Sequence, residues 1–239
     1  MILVPREGQY LHPDYYELAE FFGPDMRWDW LGSDDKKGEA DSARFVNNDD
    51  FIRRTHVFCY QNLGLMTQGI HRPYIARMLN MAADHGQSKF IDVGAGGGQL
   101  GLAMHTLGFQ VSFADIQSVS LMYLVWRLHK RRLALPVYNL DSDTQIQRQH
   151  MAACFDVLEH LTEPEQDALL DRLDTIAEVV LVNLVHGDGT ELPGLHYKLD
   201  PDRIKARVGK HLSEGFYPDA GGKPRQTLLI YGERVREQT

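Results

Sequence analysis

The stretch Phe90-Ile-Asp-Val-Gly-Ala-Gly-Gly-Gly-Gln-Leu-Gly101 decides the fold. It begins as a short apolar run, passes an aspartate at position 92, and breaks into glycines before a helical pattern starts. Glycine is needed in such a turn because the chain adopts positive φ angles there, and because a ligand can approach the backbone only where no Cβ intervenes. The stretch therefore predicts a strand, a tight turn and a helix, with a ligand at the turn.

The spacing of the glycines narrows the choice of ligand. A dinucleotide fingerprint reads Gly-x-Gly-x-x-Gly directly after the strand, but counted from Gly94 its third glycine position is Gln99. Starting at Gly96 restores the pattern, yet the first glycine then lies beyond the strand end. The spacing disfavours NAD, and with it a nicotinamide-dependent oxidoreductase. Asp92 favours a ligand whose near end is a cation, since a carboxylate would repel a pyrophosphate.

Two motifs together resemble one enzyme family. The pattern Asp-x-Gly-x-Gly-x-Gly of Asp92, Gly94, Gly96 and Gly98 resembles motif I of the class I S-adenosylmethionine (SAM)-dependent methyltransferases. The later segment Phe155-Asp-Val-Leu-Glu-His-Leu161 is similar to a segment that many members of this family carry, and dinucleotide-binding proteins have no reason to carry it. The resemblance covers roughly residues 74–235. It implies an α/β, Rossmann-like fold: a mostly parallel seven-stranded sheet with helices on both faces, here with an N-terminal helical extension.

From residue 89 onward, strand-like and helix-like segments alternate, as in a parallel sheet with crossover helices. The expected strands are residues 89–93, 110–114, 136–139, 150–154, 178–184, 214–217 and 226–231, the last antiparallel. The expected helices are residues 72–83, 98–107, 119–132 and 201–211. The chain departs from the family where Leu173-Asp-Thr-Ile-Ala-Glu178 replaces the Lys-Pro-Gly-Gly turn that often precedes the fifth strand.

Acidic residues follow the second and third expected strands. Asp115 lies about twenty residues after the glycine loop, where an acid can accept both ribose hydroxyls of a bound cofactor. By the resemblance, Asp141 accepts a hydrogen bond from the adenine amino group. Residues 141–143 can equally form a turn with a helix N-cap, and the two interpretations are compatible. The resemblance implies SAM as the cofactor. The predicted cofactor-binding residues are Asp92, Gly94, Gly96, Gly98, Asp115, Ile116, Asp141, Phe155 and Asp156.

Methyl transfer from a sulfonium is an in-line displacement, in which the protein aligns the reactants and removes a proton if the acceptor is a hydroxyl. His160 is the best candidate for this base, because imidazole titrates near neutral pH; alternatively it closes the start of a helix. His196, after the fifth strand, is the second candidate catalytic residue. Asp156 and Glu159 have the alternative role of first-turn carboxylates that favour a helix N-terminus.

The same residues resemble a metal site. Asp156, Glu159 and His160, with His196, resemble the divalent-metal site of small-RNA 3′-end methyltransferases and ubiquinone-pathway O-methyltransferases, in which the metal grips the acceptor hydroxyls. Asp replaces the usual Glu at position 156, and a His at the place of His196 is frequent in metal-free relatives. We therefore predict no metal and an activity indifferent to chelators. The alternatives are a metal-assisted RNA 2′-O-methyltransferase and a SAM-binding protein without turnover.

The resemblance implies methyl transfer to an O- or N-centre, and we expect a small-molecule acceptor because the composition disfavours nucleic acid. The 239 residues carry a formal net charge of −8, whereas a protein that grips nucleic-acid backbone normally has a basic surplus. The run Arg127-Leu-His-Lys-Arg-Arg132 is expected to be a solvated helix face rather than an RNA site.

Cys59 and Cys154 lack the spacing of a disulfide scaffold or a zinc site. Without a signal pattern or a membrane-length apolar run, we expect a cytoplasmic protein with no membrane contact. The sequence is compatible with a monomer or a homodimer.

The N-terminal part is the least regular. We divide the chain into a helical cap or lid, residues 1–70, and a SAM-binding domain, residues 71–239. The polar stretch at residues 32–50 predicts a loop, mobile or acting as a hinge. The aromatic residues of this part either pack a cap onto the domain, which we favour, or form a lid over the acceptor; they are Tyr15, Tyr16, Phe21, Phe22, Trp28, Trp30, Phe58 and Tyr60. As a lid, residues 1–45 should be removable without loss of cofactor binding.

Overall fold

The computed structural model of the protein describes residues 13–26, 45, 47–69, 71–86, 88–142, 144–185, 196–218 and 224–238. Its strands are β1 Lys89–Val93, β2 Gln110–Asp115, β3 Val137–Asn139, β4 Gln149–Cys154, β5 Ala177–Val185, β6 His211–Pro218 and β7 Pro224–Tyr231. They form one seven-stranded sheet in the order β3-β2-β1-β4-β5-β7-β6. Strands β1 to β5 are parallel, and β7 runs antiparallel between β5 and β6. The predicted fold class is confirmed.

Helices cover both faces of this sheet. They are α1 Pro13–Phe22, α2 Asn48–Arg54, α3 Val57–Gln68, α4 Arg72–His85, α5 Gln99–Thr106, α6 Val119–Lys130, α7 Glu163–Ile176, α8 Pro201–Val208 and α9 Glu233–Gln238. Short 3-10 turns lie at Gly23–Asp25 and Leu158–His160. Helix α7 ends at Ile176 and β5 begins at Ala177. Because helix and strand join directly, the chain has no room for the Lys-Pro-Gly-Gly turn of the family.

The core has two layers, one on each face of the sheet. Along β1, Phe90 belongs to one hydrophobic cluster and Ile91 to the other, and both are fully buried. Neighbouring side chains of a strand point to opposite faces, so a strand covered on both sides must be apolar throughout. This explains why Phe90, Ile91 and Val93 of β1 are all apolar. The other two residues of the strand are Lys89 and Asp92.

Several predicted boundaries were off by a few residues. The helix expected to reach residue 211 ends at Val208, because Gly209 adopts a φ of 71° and His211 already belongs to β6. The helix expected to reach residue 132 ends at Lys130, and Arg132 adopts a φ of 55°. Positive φ is incompatible with a right-handed helix, which accounts for both early ends.

The N-terminal helices pack on the sheet domain. Leu18 and Phe22 of α1 lie in a buried cluster with Tyr60, Leu63 and Tyr123. Tyr15 and Phe21 pack against the same cluster, whereas Tyr16 is exposed. Trp28 and Trp30 lie outside the described residues. For the described aromatic residues of α1, the contacts are those of a packed cap.

The polar stretch at residues 32–50 is not a loop throughout. Residues 48–50 begin α2, and the side chain of Asn47 caps this helix by accepting a hydrogen bond from the Asp50 N–H at 2.8 Å. Asparagine is a preferred N-cap residue, so the polar composition here marks a helix start. Apart from Phe45, the stretch before Asn47 lies outside the described residues.

The basic run at the end of α6 is not solvated throughout: His129, Lys130 and Arg132 are exposed, whereas Arg127 and Arg131 are bound to α1. Arg127 is fully buried and donates to Glu17 at 2.9 Å, to Asp14, and to the carbonyl oxygen of Gly97 at 2.5 Å. Arg131 also donates to Glu17, at 2.8 Å, and to Asp14, at 2.7 Å. The prediction was wrong because α1 supplies two carboxylates one helical turn apart. The run docks the N-terminal helix and ties it to the glycine loop.

In the part of the chain that the structure describes, no helix combines the length and the apolar character needed to cross a bilayer.

Candidate active site

A cavity of about 570 Å³ lies at the carboxyl ends of β1, β2 and β4. Strand β1 is flanked by β2 on one side and β4 on the other, so the strand order reverses here, which is where open α/β sheets bind ligands. The predicted site residues that line it are Asp92, Gly94, Gly96, Asp115, Ile116, Asp141, Phe155, Asp156 and His160. Gly98 and His196 are not among the lining residues.

The glycine loop has the backbone geometry that its sequence predicts. Gly94, Gly96 and Gly98 adopt φ angles of 72°, 52° and 73°. A Cβ atom at Gly94 would lie 2.2 Å from Cγ2 of Val157, which lines the cavity, and a Cβ atom at Gly98 would lie 2.4 Å from Cδ1 of Leu124 on α6. Gly94 therefore shapes the cavity, whereas Gly98 allows α5 and α6 to pack closely.

Two carboxyl groups lie beneath the loop, that of Asp92 buried and that of Asp115 half-buried. Asp92 accepts a hydrogen bond from the N–H of Gly101 at 2.8 Å, and burial raises its pKa to about 7 against this bond. Asp115 accepts from Gly96 at 2.6 Å and from Ile116 at 2.7 Å; burial raises its pKa to about 6, and these two bonds oppose the rise. An ionised carboxylate accepts about four hydrogen bonds, so Asp115 keeps sites for two ligand hydroxyls.

Asp141 has a partner that the sequence did not reveal. Arg53 of α2 donates to both of its oxygens, at 2.7 and 2.9 Å, and the Gln117 N–H donates at 2.7 Å. The hydrogen bond from Arg53 is the largest cause that holds the pKa of Asp141 below its usual value. Three of about four acceptor sites are therefore occupied, which leaves room for one ligand donor.

The predicted turn after β3 is present, but it caps no helix. The Ser142 N–H donates to the carbonyl of Asn139, and the described chain that follows enters β4 at Gln149. The N-cap part of that interpretation was therefore wrong.

Ile116 and Phe155 supply apolar walls. Ile116 lines the cavity next to Asp115, and Phe155 lines it at the end of β4. The Phe155 ring lies 4.8 Å from Tyr74 and 5.9 Å from His71, measured between ring centroids. Phe155 thus lines the cavity as part of an aromatic cluster with His71 and Tyr74 at the start of α4.

Asp156 is the most constrained residue of the site. Its φ is 55°, a conformation that costs of order 1–3 kcal/mol in a non-glycine residue and persists only where neighbours hold it. Asn183 of β5 holds it twice, accepting from the Asp156 N–H at 2.7 Å and donating to Oδ1 at 2.6 Å, while Nε2 of His71 lies 3.0 Å from Oδ2. Burial would raise the pKa of Asp156, but the bonds from His71 and Asn183 and the His71 charge lower it.

The structure brings His160 and His196 together, with ring centroids 4.8 Å apart, and the Phe58 ring lies 5.3 Å from His160. Glu159 is buried behind them, and burial together with the charge of Asp156 raises its pKa to about 8. Among the residues that the structure describes, no group of three or more His, Cys, Asp or Glu side chains is arranged to hold a metal ion.

Of the wall that the N-terminal helices contribute, sequence reasoning named only Phe58, as a candidate lid residue. The lining residues from this wall are Asn48, Asp49, Ile52, Arg53, Phe58, Asn62, Met66 and His71. A Cβ atom at Gly96 would lie 2.3 Å from Nδ2 of Asn62, so α3 touches the glycine loop directly. Of the other residues, only His71 carries a local signal, as a titratable residue immediately before the Arg72-Pro73 helix start.

No protein-family model matches the chain, and no curated protein is similar to it in sequence. Solved structures are similar in fold. Magnesium protoporphyrin IX methyltransferase (ChlM) from Synechocystis PCC 6803, solved with S-adenosylhomocysteine (SAH), is 14% identical with a TM-score of 0.55, over 91% of this chain and 92% of that chain. The same enzyme with bound SAM is 12% identical with a TM-score of 0.54, over 91% of this chain and 90% of that chain.

Two structures of Hen1 proteins are also similar. The methyltransferase domain of bacterial CtHen1 is 15% identical with a TM-score of 0.53, over 68% of this chain and 99% of that chain. The Pnkp1/Rnl/Hen1 RNA repair complex matches at 17% identity with a TM-score of 0.50, over 66% of this chain and 41% of that chain. The chain therefore has the class I methyltransferase fold.

Proposed function

We propose that the protein transfers a methyl group from SAM to an O or N centre of a small-molecule acceptor. The observation that carries this proposal is the single cavity shared by Gly94, Asp115 and Asp156. It joins the ends of β1, β2 and β4, so a ligand that reaches from the ribose acceptor to the end of β4 crosses the glycine loop. Dinucleotide chemistry would place a pyrophosphate beside Asp92, which its negative charge opposes.

Four of the lining residues bind the cofactor in this proposal. Asp115 accepts the ribose hydroxyls, Asp141 the adenine amino group, and Ile116 packs against the adenine. Asp92 and the loop face the cationic amino end of the cofactor. When bound, SAM supplies a methyl sulfonium, and the residues of the chain align it and exclude water.

The walls from α2 and α3 are proposed to enclose the acceptor. They place Ile52, Phe58 and Met66 in the cavity, which suits a partly apolar small molecule. Arg53, the cation on this wall, is already paired with Asp141. Methylation of RNA, with or without a metal, is the second candidate, favoured by the likeness to the Hen1 proteins. A steep loss of acceptor binding with salt would identify RNA.

Cofactor choice gives the first test. SAH is expected to raise the melting temperature by mass action, while NAD does not. Asp115→Ala should weaken SAH binding by about 1.5–3 kcal/mol for each hydrogen bond lost to the charged acceptor. Asp171→Ala, at an exposed carboxylate on α7, is the matched control and should bind SAH normally. Calorimetry that shows tight NAD binding and no response to SAH would refute the proposal.

The raised pKa values predict how binding depends on pH. The pKa of Asp115 is about 6 and that of Asp92 about 7 before the ligand binds. Only the ionised carboxylates accept the ribose hydroxyls and attract the amino group, so binding favours proton release. SAH affinity should therefore rise as the pH increases from about 5 to about 8 and then level off. Calorimetry in buffers of different ionisation enthalpy measures the released protons. A flat affinity profile over this range would contradict the assignment.

A further inference from the structure

His71 occupies an unusual position at the start of α4. Its side chain is buried, with 8% of the residue exposed, yet it lines the cavity. Its ring packs against the adjacent rings of Phe155 and Tyr74, with centroids 5.9 and 6.0 Å away. This places an imidazole against the end of β4, beside the residue that Asn183 holds in a strained conformation.

One ring nitrogen of His71 is oriented by a carboxylate. Nε2 lies 3.0 Å from Oδ2 of Asp156. An ionised carboxylate only accepts hydrogen bonds, so Nε2 carries the proton and, in the neutral ring, Nδ1 carries the lone pair. Asn183 fixes Asp156 with two hydrogen bonds, so the orientation extends from β5 through Asp156 to the imidazole.

The other ring nitrogen has no hydrogen-bond partner among the residues that the structure describes. Nδ1 of His71 is buried and makes no hydrogen bond with any described part of the chain. Buried polar atoms nearly always have a partner, and an exception calls for an explanation such as a catalytic role or a bound water or ion. Enzymes activate a hydroxyl with this arrangement: a third group fixes the orientation of a base, and the lone pair of the base accepts the proton of the substrate.

We propose that His71 is the general base of the reaction and that the acceptor is therefore a hydroxyl. This inference rests on the proposed function and deepens it. Nδ1 takes the proton of the acceptor O–H, the oxygen forms a bond to the methyl carbon, and the carbon–sulfur bond breaks with its electron pair passing to sulfur. The products are a methyl ether, SAH and a protonated His71, whose charge is stabilised by Asp156.

The surroundings of His71 support this role. The groups that face it are Asp156 after β4, Asp92 at the end of β1, and the phenol-bearing ring of Tyr74 on α4. Both carboxylates favour the imidazolium that the reaction creates. His160, the base predicted from sequence, packs edge-on against His196 and Phe58 and becomes a wall of the acceptor site in this proposal.

The test uses the full chain, labelled SAM, and a small set of acceptor probes: phenol, 4-nitrophenol, benzyl alcohol and benzylamine. His71→Gln removes the base but keeps a polar side chain of similar length, and His129→Gln on the exposed end of α6 is the control. We expect methylation of phenol with a kcat about 10²–10⁴-fold lower in His71→Gln, and unchanged SAH affinity. 4-Nitrophenol is already largely ionised at mildly alkaline pH, so the kcat for its methylation should fall far less in His71→Gln.

A purely structural role for His71 would not produce this pattern. Full activity of His71→Gln on phenol, methylation of benzylamine alone, or methylation of none of the hydroxyl probes would each overturn the inference. Failure of the wild-type protein to bind SAH would instead refute the proposed function itself.

Discussion

Arg127→Met is expected to lower the free energy of unfolding by about 3–5 kcal/mol, the usual effect of breaking a buried ion pair. The Arg127 side chain is fully buried between α1 and the glycine loop. Methionine preserves much of its volume but leaves the Gly97 carbonyl without this donor, and it removes one of the two arginine partners that Asp14 and Glu17 share. Urea denaturation monitored by circular dichroism measures the loss.

Arg131→Met is the matched control, since it contacts the same two carboxylates from a position that is 30% exposed. It should cost no more than about 1 kcal/mol. Equal stability of the Arg127→Met and wild-type proteins would show that α1 is not anchored as described. By the same reasoning, a protein lacking residues 1–45 would lose both carboxylates that hold Arg127 and would uncover the apolar cluster that α1 completes. We therefore expect it to unfold rather than retain SAH binding, which favours a packed cap over a removable lid.

Gly94→Ala is expected to weaken SAH binding by at least about tenfold, or 1.4 kcal/mol. At a φ of 72° an alanine is strained by roughly 1–2 kcal/mol. Its Cβ would also lie 2.2 Å from Cγ2 of Val157, so either the loop or the residue after Asp156 must shift. Both elements line the cavity, and the shift should therefore reach the cofactor. Calorimetric titration with SAH gives the affinity.

Gly108 provides the control for Gly94. Its φ is 94°, so alanine meets a similar backbone penalty, but a Cβ atom there has no neighbour within 4 Å. Gly108→Ala should lower stability without changing SAH affinity. Adding Val157→Ala to Gly94→Ala removes the clashing methyl and should restore part of the binding. No rescue by Val157→Ala would show that the clash is not the cause.

The sheet and half of the site could be predicted from sequence because their signals are local. Strand β1, the glycine loop and Asp115 lie within about 25 consecutive residues, and each carries its own pattern. The N-terminal half of the site could not be predicted. His71 meets Asp156 across 85 residues and Arg53 meets Asp141 across 88, and pairings at such separations leave no local pattern. The basic run on α6 was misjudged for the same reason, since Asp14 and Glu17 lie more than 100 residues away.

A structure of the protein with bound SAH tests the central claim most directly. The account predicts the ribose hydroxyls within hydrogen-bonding distance of the Asp115 carboxylate, the adenine against Ile116 with its amino group at Asp141, and the sulfur facing the end of β4 at Asp156 and His71. SAH bound elsewhere, or with its ribose away from Asp115, would contradict it.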